Sequence, residues 1–210
     1  IIEHIKKGDK VGMLIVSEGV TSRDEKRNYP KRKKEIKHLH SISKNIIKKM
    51  GVNFIKFFDF PDNRLDKINL IDIVKIIENS ILKFKPNIIY THHGDDLNID
   101  HELVTRAVLT AARPIPKHPV LKIYSFEVLS STHWIEPTKR KAFVPNYFRD
   151  ISNSLKEKIK YLGMYKGEMR KWPHARSLKS IKDLALFRGS SVGLKAAEAF
   201  QLIREIKREK

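Results

Sequence analysis

The twelve residues Tyr90-Thr91-His92-His93-Gly94-Asp95-Asp96-Leu97-Asn98-Ile99-Asp100-His101 hold three histidines and three aspartates. Imidazoles and carboxylates gathered in one place suit a divalent metal and proton transfer. Cysteine is absent from all 210 residues, so disulfides and thiolate metal sites are excluded and a metal would take nitrogen and oxygen ligands. Asp95 and Asp96 have no lysine beside them. So many ionisable groups in one loop are costly unless solvent, metal or substrate uses them. His101 beside Asp100 would, as an isolated pair, read sooner as a core histidine held by a carboxylate. The crowding around them favours a site.

The apolar run Pro86–Tyr90 that leads into the cluster reads as a buried strand, and the carboxyl ends of such strands are where crevices form in open α/β sheets. Further strands are expected over Val11–Ser17, Phe54–Phe58 and Lys122–Leu129, with a turn at Phe60–Asn63. Helices are expected over Pro30–Met50 and Ile68–Phe84, the latter with Leu70, Ile73, Val74, Ile77, Ile81 and Leu82 at the spacing of a buried face. Asp100 stands where a helix cap would, before a helix over Glu102–Ala112. Ser130–Asp150 lacks periodicity and reads as a long loop. Helices are expected again over Ser152–Tyr165 and Ser177–Phe187, and a last one from Leu194 into a charged tail. Strand–helix alternation predicts an α/β fold, a mainly parallel sheet with helices on both faces, in a single domain spanning 1–210.

Lys and Arg number 43 against 24 Asp and Glu, a formal net charge of +19. That balance raises nucleic acid or an anionic surface as partners. Lysine is spread along the whole chain, however, and only Lys26–Lys37 and the end of the chain are dense in charge. The reading is a solvated basic surface, and nucleic acid is not the expected partner. No apolar run approaches the roughly 18 residues of a membrane span and no signal peptide is visible; the expected location is cytoplasmic. The chain opens on Ile1-Ile2-Glu3-His4-Ile5-Lys6-Lys7, which reads as the end of a helix, so an earlier segment is expected to precede it.

Thr91-His92-His93 through Asp96-Leu97-Asn98-Ile99-Asp100-His101 resembles the second signature of the LmbE-like deacetylases, also called the N-acetylglucosaminyl-phosphatidylinositol deacetylase (PIG-L) family. The similarity extends to Gly8–Val11 with Ser17–Arg23, to Arg32 and Glu35, and to Phe60-Pro61-Asp62. It continues at Glu127, Ser130-Ser131, Arg176-Ser177 and Ala197–Phe200. The resemblance implies a Rossmann-like three-layer sandwich and a zinc-dependent hydrolase that removes acetyl from an N-acetylglucosamine-type sugar. His101 matches the zinc-binding histidine, and Asp100 matches the carboxylate that orients neighbouring groups. Asn98 stands where many members have a histidine acting as general acid or oxyanion donor. An amide donates a hydrogen bond but no proton, so His92 or His93 would take the acid role. Arg32 and Asp62 match positions that hold the sugar or its anionic substituent, and His174 and Arg176 would line the crevice. Ordinary alternatives stand beside these: a basic helix face for Arg32, a surface loop for His174 and Arg176.

The family's first signature, His-Pro-Asp-Asp-Glu, does not occur; His118-Pro119 is followed by Val120. The remaining zinc ligands, the aspartate that deprotonates water and the first strand are therefore expected upstream of Ile1. Two other readings remain, a catalytically inactive or truncated family member and a basic polyanion-binding protein. The second predicts binding that weakens steeply with salt and survives His101→Ala.

Overall fold

Strands and helices alternate through most of the chain in the computed structural model, which describes residues 1–136 and 138–207. The order is α1 (Ile2–Lys6), β1 (Gly12–Ser17), α2 (Tyr29–Met50), β2 (Phe54–Phe60), α3 (Leu70–Phe84), β3 (Ile88–His92), α4 (Ile99–Ala111), β4 (Lys122–Phe126), β5 (Tyr147–Asp150), α5 (Leu155–Leu162), α6 (Leu178–Ser190) and β6 (Ala197–Glu205). Two compact units share these elements. One comprises Ile1–Asn63 with Asp150–Glu198, the other Arg64–Arg149 with the chain from Ala199.

In the first unit β1 and β2 pair in parallel, Gly12 opposite Phe54 and Ile15 opposite Phe57, with the register shifting before Ser17 meets Phe60. The long α2 forms between two strong local signals. Asn28 accepts a hydrogen bond from the Lys31 amide, and Pro30 sits in the first turn, where its missing N–H costs nothing. Gly51 then adopts φ +82°, which an L side chain resists, and the Val52 amide returns to the Ile47 carbonyl. Between these ends α2 buries Ile36, Ser43, Ile46 and Ile47. A small core of Ile151, Ala185 and Ala196, with Leu155 against it, holds α5 and α6. Here α6 must come very close to the chain beyond it, because a Cβ on Gly189 would lie 2.6 Å from the Ala196 Cα.

The second unit carries a four-stranded sheet in the order β3-β4-β6-β5. β3 and β4 are parallel from Ile88 opposite Lys122 to His92 opposite Phe126; β6 runs antiparallel to β4, with Phe200 opposite Phe126. α3 and α4 pack against each other, and α3 buries Ile73, Val74, Ile77 and Ile81 of the expected face, while Leu70 is half-buried and Leu82, in the last turn, is exposed.

Four local expectations are corrected. The segment from Leu194 is not a helix but a turn followed by β6, whose place between β4 and β5 in the sheet overrides the helix-forming Ala and Glu at its start; the tail beyond residue 207 lies outside the described residues. Ser130–Asp150 is not all loop, since it ends in β5. β4 stops at Phe126 rather than Leu129, where the chain turns back on itself. The cap of α4 is Asn98, not Asp100, which lies inside the first turn. No helix among the described residues is long and apolar enough to cross a membrane.

Gly189→Ala should destabilise the protein by about 1–3 kcal/mol, as overpacking of a closed contact does, read as a lower urea midpoint. Glu198 lies 2.6 Å from Lys158 Nζ; burial opposes its ionisation, but Lys158 outweighs that and holds its carboxyl below the usual range. Its contribution is therefore present above the ordinary glutamate pKa of about 4.3 and is lost as pH falls below it. Glu198→Gln should flatten that part of the stability–pH curve.

Candidate functional site

β3 delivers its histidines to the point where the chain leaves the sheet. After His92 it turns through His93–Leu97 and enters α4 at Ile99, capped by the Asn98 side chain, which accepts the Asp100 amide at 2.9 Å. A cap of this kind is worth about 1 kcal/mol. It also commits the Asn98 amide oxygen to the backbone.

The centre of the arrangement is Asp96, fully buried at 0% exposure. Its Oδ1 accepts the Asn98 amide at 2.9 Å and lies 3.1 Å from His101 Nδ1. Its Oδ2 accepts the Thr132 hydroxyl at 2.6 Å. Burial pushes the carboxyl up, but His101, Thr132 and the Asn98 amide together outweigh it, so Asp96 stays well below the usual carboxylate range. Arg140 Nη1 holds the same residue from its backbone side, donating to the Asp96 carbonyl and to Glu102, each at 2.9 Å.

The His101 ring stacks on His92, with centroids 4.0 Å apart and planes 11° from parallel. Burial, and next the charge of His101, push His92 down to about 3, so at neutral pH it is an uncharged imidazole. Its Nδ1 is shielded and has no hydrogen-bond partner among the described residues. Below it, Phe126 closes the stack at 4.8 Å. His93 turns the other way. It is buried, donates Nε2–H to the Lys141 carbonyl at 2.8 Å, and meets the Phe143 ring edge-on at 5.6 Å. Asp100, also buried, accepts the Leu65 amide on Oδ1 at 3.0 Å. Its carboxylate ties the segment before α3 to the start of α4.

The four residues expected to contact substrate lie in the other unit, and each has an internal partner. Arg32 donates Nε and Nη2 to Asp24 and Nη1 to Glu35, at 2.8–3.0 Å; these two carboxylates raise its pKa further. Asp62 accepts the Ser22 hydroxyl and the Ser22 amide. His174 Nδ1 accepts the Arg176 amide at 2.9 Å, and the Arg176 guanidinium lies 4.0 Å from Glu168. Arg23 links Glu168 to Glu35, so these groups meet in one charge network around the loop after β1.

Sequence reasoning passed over Thr132, Arg140 and the role of Asp96. The visible signal was Asp96-Leu97-Asn98, the two-residue spacing at which an aspartate folds back on a backbone amide. A shallow groove of about 450 Å³ runs along the next turns of α4, lined by Glu102, Arg106, Leu109 and Arg113, and does not include His101.

His101 has the form of one metal ligand. A carboxylate at Nδ1 keeps the proton there and leaves the Nε2 lone pair outward, the usual outer-shell arrangement behind a metal-binding imidazole. It is not a centre by itself. Among the described residues no group of three or more His, Asp or Glu could hold a metal ion, and a hydrolytic zinc site takes three protein ligands.

A family model described as GlcNAc-PI de-N-acetylase (PIG-L) matches residues 1–112. No curated protein matches the chain by sequence. Among solved structures the chain is similar to N,N'-diacetylchitobiose deacetylase from Pyrococcus horikoshii, with a TM-score of 0.72 at 13% identity over 97% of this chain and 76% of that one. It is similar to GalB, the 4-carboxy-2-hydroxymuconate hydratase of Pseudomonas putida, with a TM-score of 0.73 at 18% identity over 100% and 90%. The A40926 pseudoaglycone deacetylase Dbv21 has a TM-score of 0.67 at 15% identity over 99% and 90%. At these identities the likeness shows a shared Rossmann-like fold. A hydratase among them means the fold alone does not select the reaction.

Asp100→Ala should cost about 1–3 kcal/mol, because the buried Leu65 amide loses its acceptor. Urea unfolding of the purified chain checks this; an unchanged midpoint would show that the contact carries no stability.

Proposed function

Since this chain belongs to the PIG-L family of GlcNAc-PI de-N-acetylases, we propose that it is a zinc-dependent hydrolase that removes the acetyl group from an N-acetylglucosamine-type amino sugar. The observation that carries the reading is the His101 ring, stacked on a neutral His92 and backed at Nδ1 by Asp96. It stands just beyond the carboxyl end of β3, where α/β sheets place their chemistry. His101 supplies one ligand through Nε2, and a hydrolytic zinc site takes two more from the protein.

Each residue of this chain has a task in that reading. Asp96 fixes the direction and tautomer of His101. His92, with its pKa pushed down by burial, backs the ring without competing charge. His93 fastens the segment around Lys141 and Phe143 to the strand end, and so shapes the wall rather than moving a proton. Asn98, with its oxygen held by the cap, keeps an NH₂ that donates to an oxyanion. Asp62 and Arg32 hold the loop after β1 through Ser22 and Asp24.

The test is release of acetate from N-acetylated amino sugars, free and lipid-linked, by zinc-supplied protein expressed with whatever coding sequence lies upstream. His101→Ala should lower activity by about 100-fold or more, beyond the 10–100-fold typical of outer-shell changes, and lower bound zinc in proportion. Metal-replete protein inert on every such sugar, or activity indifferent to His101→Ala, would overturn the proposal.

A further inference from the structure

We infer that Thr132 and Asp96 form a positioning relay for His101, in which the Thr132 hydroxyl locks the Asp96 carboxylate so that it selects the Nδ1–H tautomer and leaves Nε2 free for a ligand. Asp100, the neighbouring carboxylate in the chain, accepts the Leu65 amide.

Three observations carry the relay. The Thr132 hydroxyl accepts the Val128 amide at 2.7 Å, so its single proton is directed to Asp96 Oδ2 at 2.6 Å. Asp96 Oδ1 then faces His101 Nδ1 at 3.1 Å, and a carboxylate there accepts but cannot donate. Finally, the turn presenting Thr132 is built at some cost. Ser130 takes φ +93°, a conformation unfavourable for a side-chain residue, and it is completely buried. The Thr132 amide returns to the Val128 carbonyl, and the Leu97 amide reaches the Ser131 carbonyl at 3.2 Å. The Ser131 hydroxyl lies 3.5 Å from the same His101 Nδ1. The turn after β4 and the loop after β3 are thus fastened together on both sides of the carboxylate.

Only the use made of Nε2 rests on the proposed reaction; the tautomer does not. Long-range ¹H–¹⁵N spectra of the ¹⁵N-histidine-labelled chain, at a pH where the ring is neutral and with His101→Ala as the assignment control, read it directly. The native protein should show His101 protonated at Nδ1. Asp96→Asn places an amide that can donate to Nδ1, and should shift the tautomer ratio toward Nε2–H by at least about tenfold. Thr132→Val should give a mixture, and Thr132→Ser, which keeps the hydroxyl, should restore the native spectrum. If Thr132→Val does not fold, Asp96→Asn decides alone, since its side chain fills the same volume. An Nε2–H ring in the native protein, or one unmoved by Asp96→Asn, overturns the relay. A native tautomer responding as described in a protein that releases no acetate would leave the relay standing and remove the deacetylase reading.

Discussion

Burying an ionised carboxylate costs several kcal/mol unless nearby donors replace the water it loses. Asp96 meets that requirement from three places at once: its own turn through the Asn98 amide, the helix α4 through His101, and the turn after β4 through Thr132. No two of these groups are adjacent in the chain. The carboxylate can remain charged only if the ends of β3 and β4 and the start of α4 reach their places together. The direction of the His101 ring follows from that condition, and so does the stack on His92 and Phe126.

The same economy of partners separates residues that present chemistry from residues that hold the frame. Arg32, Asp62, Asp100 and His93 are all polar types found in active sites, yet each is tied by hydrogen bonds to the protein itself. The network of Asp24, Arg32, Glu35, Arg23 and Glu168 is partly exposed, so each pair contributes little, of the order of 1 kcal/mol or less. Its effect is geometric, holding the loop after β1 to the first turns of α2. His101 differs because its one known anchor uses Nδ1 and leaves the other nitrogen outward.

Membership of a de-N-acetylase family narrows the chemistry, while the solved structures that share the fold include a hydratase as well as deacetylases. Both facts fit a scaffold in which strand ends supply a fixed platform and the loops determine the substrate. In this chain the loop after β4 is such a place. It contributes Thr132 and Arg140 to the holding of Asp96 and receives His93 at Lys141.

Periodicity made α3 legible, because four buried aliphatic residues recur at helical spacing, and it made β3 legible as an apolar run ending in polar residues. The histidine–aspartate cluster was legible from composition alone. The strand β6 was not: Ala197-Glu198-Ala199 favours a helix locally, and only its place in the sheet between β4 and β5 makes it extended. Asp95, Asp96 and Asp100 are the same residue type within six positions, so no local rule distinguishes the one behind His101. Proximity in sequence favoured Asp100; the turn into α4 points it to Leu65 and brings Asp96 to the imidazole. The amino acids determined which chemical groups are present and roughly which elements carry them. Which lone pair meets which proton was decided by the tertiary structure, because hydrogen bonds depend on direction and distance, and those exist only once strands, turn and helix have closed around the carboxylate.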